Sequence, residues 1–368
     1  MFFDDDFVDH YTLLVTGNGF DIALNLPTRY EDFFNVLKKA KASSTFEVFY
    51  QTIQDSLINE KDCLSFYSAF KACEKTNYFV RYFISYNKIF DKWCDVEQEI
   101  KDVVLSFDTF LFNISKSNST YSKFYTAGLE GVKTLNIFHP EFVKQWNEFG
   151  FRTDDDYVTG TLIDTDYVGP LTTYALKNRF QEIQKTIIET LYSDLQNFKL
   201  VFSLYIKCFA NCNHLAIPKN LSADYVITYN YTKASELCIN PTDKTFYIHG
   251  KDENIVLGIG SDEKFHDHRF NRFTKLNQRT GISNMDINDY LGEGSLIGYI
   301  GFSFNINDKE TIIEYFKQKD TTHIIYFLDE TARNDLVDNL INIITFEKYN
   351  ELFNSDKIQF QPSSSLFD

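Results

Sequence analysis

The fold class is decided by the stretch Leu13-Leu14-Val15-Thr16-Gly17-Asn18-Gly19-Phe20-Asp21, in which an apolar run ends in a turn with two glycines. A continuous apolar run of this length is typical of a strand that is covered on both faces. Two glycines after a first strand let the backbone approach a ligand, and the N–H groups of a following helix then point at an anion. The stretch predicts a phosphate-binding turn. A simple tight turn is the alternative, because the third glycine of the usual dinucleotide motif is missing.

The composition excludes some classes of function. The 368 residues suffice for one large domain or two moderate ones. With 36 basic against 52 acidic residues the net charge is −16, so we expect no nucleic-acid partner held by phosphate neutralisation. The first residues lack the basic start of a signal peptide, and no long apolar segment follows, so we expect a cytoplasmic protein without a membrane partner.

The cysteines predict no disulfide framework. Without a secretion signal they are expected to be reduced, buried thiols at Cys63, Cys73, Cys94, Cys208, Cys212 and Cys238. A zinc site made of Cys208, Cys212 and His214 is the alternative, but no fourth ligand follows at a suitable spacing. His266-Asp267-His268 also resembles a set of metal ligands, although the neighbouring arginines favour a charged loop. We therefore expect no metal.

Short apolar runs, which predict strands, cluster at the two ends of the chain. Most of them stop at Gly, Asn or Asp, and they cover residues 11–16, 225–228, 246–248, 255–257, 296–300 and 323–328. Such runs indicate strands between two layers of helices, and hence a largely parallel sheet. The predicted fold class is α/β with a Rossmann-like sheet.

The middle of the chain predicts helices instead. Apolar residues step by three or four positions from Phe180 to Phe209, which is one stripe of a long helix. Residues 33–39, 46–57 and 93–107 also follow a helical pattern. We predict an α/β core made of residues 1–34 and 216–368, with residues 35–215 as a large and mostly α-helical insertion.

Three further motifs end predicted strands. They are Thr228-Tyr229-Asn230-Tyr231-Thr232, Tyr247-Ile248-His249-Gly250 and Gly298-Tyr299-Ile300-Gly301-Phe302-Ser303. Ligands of open α/β sheets bind at the carboxyl ends of strands, so these motifs are expected to meet the glycine turn there. Each motif alone is explained as a turn or a packed strand end. Together they favour a ligand site where Gly17, Gly19, Asn230, His249, Gly301 and Ser303 converge.

Other polar residues have two interpretations. Asp21 either caps the first helix, which we favour, or contacts a ribose hydroxyl. Asn307-Asp308 predicts the N-cap of a helix through residues 312–316. The segment with Arg269, Arg272 and Arg279 is a candidate lid over phosphates.

These motifs resemble the signatures of the AbiH family of bacteriophage abortive-infection proteins. The opening signature is matched by Gly17-Asn18-Gly19-Phe20-Asp21 together with Leu26-Pro27-Thr28-x-Tyr30-x-Asp32-Phe33. Later signatures are matched by Trp93-x-Asp95-x-Glu97, by Tyr229-Asn230-Tyr231-Thr232 with Glu236, and by Ile248-His249-Gly250. The resemblance implies a role in phage defence, with an unknown phage trigger. It also implies that Asp95 and Glu97 close over the site.

The order of the motifs is similar to that of sirtuin-like NAD-binding domains, including NAD-cleaving versions. This resemblance implies a sirtuin-like core in which Gly17 and Gly19 hold the pyrophosphate, Asn230 lies near the nicotinamide ribose, His249 is the base, and Gly301 and Ser303 contact the cofactor. Neighbouring positions complete the expected cofactor-binding set, namely Asn18, Phe20, Asp21 and Thr228. The chain lacks the four-cysteine zinc module and reads Gly-Asn-Gly in the turn, which weakens a deacylase assignment more than an NAD hydrolase.

The chemistry of these residue types fits hydrolysis of NAD⁺, which is expected as substrate. An Asn amide orients a ribose hydroxyl or a water, and an imidazole accepts a proton near neutral pH. Nicotinamide leaves as a neutral group, so no paired-carboxylate motif is needed. A toxic hydrolase requires restraint, so we expect the helical insertion to mediate homo-oligomerisation or autoinhibition. The alternatives are a non-catalytic nucleotide sensor in phage defence and a toxin of other chemistry, such as RNA cleavage; deacylation comes last.

Overall fold

The computed structural model describes residues 10–53, 58–85, 93–116, 152–154, 157–161, 173–210, 221–239, 244–252, 254–260, 263–278, 289–317 and 320–367. The described strands are β1 His10–Thr16, β2 Arg152–Asp154, β3 Tyr157–Thr161, β4 Ser222–Thr228, β5 Lys244–Tyr247, β6 Leu296–Ile300, β7 Thr322–Phe327 and β8 Ile358–Pro362. Strands β2 and β3 form a separate antiparallel pair. The other six form one parallel sheet in the order β5-β4-β1-β6-β7-β8, which confirms the predicted fold class.

Strand β1 lies in the middle of this sheet, between β4 and β6. Thr16 at its end pairs with Thr228 of β4 and with Ile300 of β6, so the carboxyl ends of the three strands are level. Counted along the chain, the six strands have the order 3-2-1-4-5-6, which is that of doubly wound dinucleotide-binding sheets. In this order the chain direction across the sheet reverses between β1 and β6, and the crevice at that point is where such sheets bind ligands.

Helices occupy most of the chain between β1 and β4. They are α1 Asn18–Ala23, α2 Tyr30–Ala42, α3 Phe46–Thr52, α4 Glu60–Cys73, α5 Tyr78–Ser85, α6 Trp93–Lys116 and α7 Thr173–Phe209. After β4 follow α8 Ala234–Cys238, α9 Lys275–Gln278, α10 Lys309–Tyr315, α11 Glu330–Ile344, α12 Phe346–Asn354 and α13 Ser364–Phe367. Two 3₁₀ turns, His268–Phe273 and Ile306–Asp308, precede α9 and α10. Among the helices of the described residues, none is both long and apolar enough for a membrane span.

The predicted stripe on α7 is buried. Its members from Ile187 to Tyr205 lie in a core that they share with aromatic side chains of α2, α4 and α5. The rings pack in contact, as Phe33 does against both Phe198 and Phe202. Such rings supply much buried apolar area at low conformational cost, which explains the aromatic-rich composition. The side chains of Phe180 and Ile183 lie outside the described residues.

Both faces of the parallel sheet are covered. Leu13, Val15 and Tyr299 on one face pack against α10, α11 and α12, and Leu14 and Ile300 on the other pack against α1, α8 and α13. This double covering is the physical reason for the continuous apolar runs. The predicted boundary at 215/216 lies outside the described residues, and the division into core and insertion stays a prediction.

One strand prediction was wrong, and one strand was not predicted. Residues 255–257 form no strand; Val256 N donates to His249 O, and Ile255 and Leu257 are buried in the helical core. Their apolar character therefore reflects burial under helices and not pairing. Conversely, β8 was missed, because its sequence Ile-Gln-Phe-Gln-Pro alternates and it pairs only with β7 at the sheet edge. Four cysteines are confirmed as buried free thiols, namely Cys63, Cys73, Cys208 and Cys238. Cys212 and His214 lie outside the described residues, as does the side chain of Cys94.

Candidate functional site

A cavity of about 990 Å³ opens at the carboxyl edge of the sheet. Its walls come from the loops that follow β1, β4, β5, β6 and β7, and from α6 and α11. The residues that line it include Gly17, Asn18 and Gly19, then His249, and then Gly301 and Ser303. The structure thus brings together the predicted glycine turn, the histidine and the Gly-x-Ser motif, although the chain separates them widely.

The glycines are needed because two loops touch here. A Cβ on Gly17 would lie 2.5 Å from the Gly301 carbonyl oxygen, and one on Gly19 would lie 2.7 Å from Gly301 Cα. Gly301 itself has a φ of +61°, which favours glycine. The N–H groups of Gly17 and Gly19 donate to the carbonyls of Ile300 and Gly301, so they join the two loops. An anion in the cavity would therefore need other donors than these two N–H groups.

Asn230 supports the glycine turn from the other side. Its Nδ2 donates to the Gly17 carbonyl and to Asp21 Oδ1, both over 2.9 Å. Since a carbonyl and a carboxylate only accept, these contacts also determine which side-chain atom of Asn230 is the nitrogen. Both amide hydrogens are thereby used inside the protein. Only Oδ1 is left for the predicted contact with a ribose or a water, and Asn230 lies behind the cavity wall.

Asp21 does not cap the first helix, so that preferred interpretation was wrong. It lies inside α1, where its two carboxylate oxygens accept from Asn230 Nδ2 and from Thr232 Oγ1. Burial raises the pKa of Asp21 to about 7, against the lowering effect of the hydrogen bonds from Thr232 and Asn230. Burying the charge of a carboxylate costs free energy. The hydrogen bonds among Asp21, Asn230 and Thr232 therefore hold the turn in place at a cost in stability.

His249 forms part of the cavity wall and is buried. Its Nε2 lies 3.1 Å from Asp308 Oδ1, and among the described residues its Nδ1 has no hydrogen-bond partner. The rings of Tyr229 and Tyr231 flank the imidazole at centroid distances of 5.3 and 6.0 Å. These contacts fix the ring, and Nδ1 is the buried ring nitrogen that has no partner within the described part of the chain.

Asp308 has a different role from the predicted one. It occupies the N-cap position of α10, but its side chain makes no capping hydrogen bond. Instead the carboxylate contacts His249 and the ammonium of Lys275, whose Nζ lies 3.3 Å from Asp308 Oδ1. The predicted N-cap position is thus confirmed, but the carboxylate contacts tertiary partners and not the free N–H groups of the helical turn.

Lys275 is buried between two carboxylates. Its Nζ lies 2.9 Å from Glu97 Oε1 of α6 and 3.3 Å from both Asp308 Oδ1 and His249 Nε2. Burial by itself lowers the pKa of Lys275, but Asp308 and Glu97 together raise it above its ordinary value. Lys275 is therefore a cation at neutral pH. We call Glu97, Lys275, Asp308 and His249 the Lys275 network.

The remaining predicted site residues divide into two groups. Asn18 accepts from Thr28 Oγ1 over 2.7 Å, and the Ser303 carbonyl accepts from Asn339 Nδ2 over 3.0 Å, both beside the cavity. Phe20 and Thr228 are buried behind it. Phe20 packs in the core on one sheet face, and Thr228 Oγ1 accepts from Asn230 N. Their contribution to ligand binding stays a prediction.

Two of the three arginines of the candidate lid lie away from the cavity in this structure, and the lid itself stays a prediction. Arg269 forms an ion pair with Asp267, and the guanidinium of Arg272 lies over the Tyr192 ring. Neither lines the cavity, and Arg279 lies outside the described residues. The neighbouring His266 is stacked on Phe112. Among the described residues, no cluster of His, Cys, Asp and Glu could hold a metal ion.

Sequence reasoning missed Lys275 and the contact of Asp308 with His249. The resemblance did implicate Glu97, and Glu97 lines the cavity; the side chain of Asp95 lies outside the described residues. The available signal for Lys275 was a lysine within an apolar context, Phe273-Thr274-Lys275-Leu276. A buried lysine requires a charged partner, but the sequence does not say which one.

The chain matches the family model described as bacteriophage abortive infection AbiH over residues 13–328. This range runs from Leu13 within β1 to just beyond β7, and it includes every residue of the Lys275 network. Neither a curated protein nor a solved structure matches the chain. The chain therefore belongs to the AbiH family and is an antiphage defence protein of the abortive-infection class.

Proposed function

We propose that the cavity binds NAD⁺ and that the protein hydrolyses it to nicotinamide and ADP-ribose during phage infection. The observation that carries the proposal is the placement of His249. Its imidazole lines a cavity at the carboxyl edge of a sheet with the dinucleotide-binding strand order, and it is held through Nε2, while Nδ1 has no hydrogen-bond partner in the part of the chain that the structure describes. A base in such a position is suited to deprotonate a water beside a bound nucleotide.

In the proposed reaction, water attacks C1′ of the nicotinamide ribose. The bond between C1′ and the ring nitrogen breaks, and its electron pair neutralises the pyridinium, so nicotinamide leaves without protonation. The water proton passes to His249 Nδ1. The ribose develops oxocarbenium character in the transition state, as in other glycosidic hydrolyses. The enzyme must therefore orient C1′ and stabilise a positive charge.

The charged side chains that line the cavity suit this requirement. Within the described chain they are the three carboxylates of Glu97, Asp308 and Asp335, and the buried ammonium of Lys275 behind Glu97 and Asp308 offsets one of the three negative charges. Fixed negative charge in a partly enclosed site stabilises the cationic ring and the developing oxocarbenium ion. Neutral donors are available for the rest of the nucleotide, because side chains of Asn18 and Ser303 and several asparagines of the opposite wall line the same space.

The same carboxylates disfavour the rival of RNA cleavage more than they disfavour NAD⁺, since RNA brings a phosphate with every nucleotide and NAD⁺ brings a single pyrophosphate. Asn230 enters the proposal as the support of the glycine turn. Its predicted role in holding the ribose or the attacking water stays a prediction, and Oδ1 is the atom that would serve. The sensor alternative uses the same cavity without turnover.

The test is NAD⁺ loss and nicotinamide release, measured by liquid chromatography with purified protein and with extracts of infected cells. His249→Ala is compared with wild type and with His10→Ala, a matched control because His10 is exposed and pairs with Asp224 at the opposite end of β1. We expect wild type and His10→Ala to release nicotinamide, and His249→Ala to lose at least about 10²-fold in rate.

The outcomes separate the candidates. Stoichiometric NAD⁺ binding without turnover in both settings would overturn hydrolysis and favour the sensor. Turnover that survives in His249→Ala would remove this histidine from the chemistry. Neither binding nor turnover in either setting would reject NAD⁺ as the ligand.

A further inference from the structure

The cavity extends along the carboxyl edge of the sheet from β5 to β7. In the strand order β5-β4-β1-β6-β7, its wall contains in turn His249, Tyr229, Gly17, Gly301 and Leu328. Neighbouring strands lie about 4.8 Å apart, so the two ends of this row are separated by about 19 Å. A distance of this order suits an extended dinucleotide, in which two riboses and a pyrophosphate separate the two bases.

The position of His249 decides the direction of the nucleotide along this row. In the proposed reaction the imidazole lies beside C1′ of the nicotinamide ribose, so the nicotinamide half lies at the end of β5 and β4. The pyrophosphate then crosses the loops of Gly17 and Gly301, which carry no side chain that could obstruct it. The adenosine half reaches the wall formed by the end of β7 and by α11.

The wall at the β7 end combines apolar and polar side chains. Leu328 follows β7 directly and is 81% exposed, which leaves an aliphatic surface beside the cavity. Helix α11 contributes lining residues that recur every three or four positions and therefore share one face, namely Ala332, Asp335, Leu336, Asn339 and Asn342. An aliphatic surface suits the face of an adenine ring, and carboxylate and amide groups suit the hydroxyls of a ribose.

Asp335 gives this end of the cavity a negative charge, whereas Glu97 and Asp308 belong to the Lys275 network at the His249 end. A carboxylate accepts hydrogen bonds from ribose hydroxyls and repels a phosphate at the 2′ position. Dinucleotide sites that accept a 2′-phosphate provide an arginine for it. Neither arginine nor lysine is among the described residues that line the cavity, and Arg333 of α11 pairs with Glu330.

We infer that the wall of Leu328 and α11 is the adenosine subsite, and that Asp335 is the specificity-determining residue that selects NAD⁺ over NADP⁺. This inference rests on the proposed function, because His249 sets the direction of the nucleotide. Asp335 is exposed at the rim of the cavity, so its charge is partly screened. The selection is therefore expected to be moderate in size and to weaken as salt is added.

The first experiment measures binding and needs no turnover. ADP-ribose and 2′-phospho-ADP-ribose differ only in the phosphate, and calorimetric titration gives the Kd of each. We expect wild type to bind ADP-ribose about tenfold more tightly at about 50 mM salt, and this ratio to decrease at high salt. Equal affinities of wild type for the two ligands would overturn the inference.

Variants of α11 then assign the selection to one carboxylate. Asp335→Asn should bring the ratio of the two affinities close to one, whereas Asp335→Glu, which keeps the charge, should retain most of it. Asp338→Asn is the matched control, because Asp338 is exposed on the same helix and does not line the cavity. Thermal unfolding checks that all three variants fold. A full ratio in Asp335→Asn, or an equal loss in Asp338→Asn, would overturn the role of Asp335.

A variant of the apolar wall tests the placement of the adenosine half. Leu328→Ser should weaken the binding of ADP-ribose and of 2′-phospho-ADP-ribose by the same factor, because it removes a contact with the base and changes no charge. Unchanged affinity of both ligands in Leu328→Ser would place the adenosine half elsewhere and overturn the inference.

Kinetics separate this inference from the proposed function. Where wild type releases nicotinamide, we expect kcat/KM to be about tenfold higher for NAD⁺ than for NADP⁺, and Asp335→Asn to reduce this preference. Equal kcat/KM for the two substrates would overturn the inference and leave hydrolysis in place. A wild type that hydrolyses neither, yet binds ADP-ribose with the Asp335-dependent preference, would reject hydrolysis alone. Binding of neither ligand would overturn both.

Discussion

The amide nitrogen of Asn230 donates to the carbonyl oxygen of Gly17 over 2.9 Å, although 213 residues separate the two in sequence. The bond joins the loop after β4 to the loop after β1, at the level where both strands end. Gly301 packs against the same turn from the side of β6. The cavity floor is thus made of three chain segments that support one another. A substitution in any one of them should therefore also disturb the packing of the other two.

Removing the Asn230 amide should destabilise the protein. Asn230→Ala leaves one buried Asp21 oxygen without its donor and leaves the Gly17 carbonyl only its bond from Phe20 N, so we expect the free energy of unfolding to fall by about 2–3 kcal/mol. Urea denaturation measures it. Asn339→Ala is the control, because its amide also donates to a carbonyl, that of Ser303, but at an exposed position, where the loss should stay below about 1 kcal/mol. Equal effects of the two variants would contradict the prediction.

The contact between the two glycine loops tolerates no side chain. A Cβ on Gly301 would lie 2.0 Å from Phe20 N, and its φ of +61° is unfavourable for alanine. Gly301→Ala should lower the free energy of unfolding by about 3 kcal/mol. Gly292→Ala has no atom within 4 Å of the added carbon and should change it by less than about 1 kcal/mol. Similar melting temperatures of the two variants would show that the loops do not pack as described.

The buried Asp21 makes stability depend on pH. Its pKa is raised from 3.8 to about 7 in the fold, so the protonated form is favoured there and its stabilising contribution is lost as the pH rises through 7. Asp21→Asn can still accept from Asn230 while donating to Thr232. We expect this variant to be more stable than wild type at pH 8, by up to about 4 kcal/mol, with a smaller difference at pH 5.

Urea denaturation at pH 5, 6, 7 and 8 measures this difference. Asp194 has a pKa raised to about 7 by burial as well, but it is present in both proteins and cancels in the comparison. A difference that does not grow with pH would mean that Asp21 is not the buried carboxylate responsible.

Buried His323 gives the stability of the protein the opposite pH dependence. Burial, and then the charges of Lys348 and Lys357, lower its pKa from 6.5 to about 3, so the neutral form is favoured in the fold. The stability that it contributes is present above pH 6.5 and is lost as the pH falls. Between pH 6.5 and 5 this loss amounts to about 2 kcal/mol.

His323→Phe should remove this loss, whatever its effect on stability at neutral pH, where Tyr299 loses a hydrogen-bond partner. The slope of the free energy of unfolding between pH 7 and 5 is therefore the quantity to compare. His10→Gln is the control, because His10 is exposed. A slope that is equal in wild type and His323→Phe would refute the assignment.

Much of the fold could be predicted from the local pattern of apolar and polar residues. The apolar runs before Gly17, Asn230 and Gly301 are strands because strands between two helix layers have no polar face, and the stripe on α7 is buried as its spacing requires. The run at 255–257 shows where pattern is insufficient. A short apolar run is equally suited to a strand and to a buried loop, and only the neighbouring helices distinguish the two.

Residue order alone was enough to establish that the glycine turn, Asn230, His249 and Gly301 lie at one edge of a sheet, because parallel strands bring their carboxyl ends together whatever the details of packing. The partners of these residues depended on the folded chain. Asp308 faces His249 and not its own helix, and Lys275 lies between Glu97 and Asp308, because these pairs form only where separate helices and loops meet. The spacing of residues along the chain does not predict these ion pairs. They form between segments that are distant in sequence, and the packing of the layers decides which charged side chains are buried together, away from water.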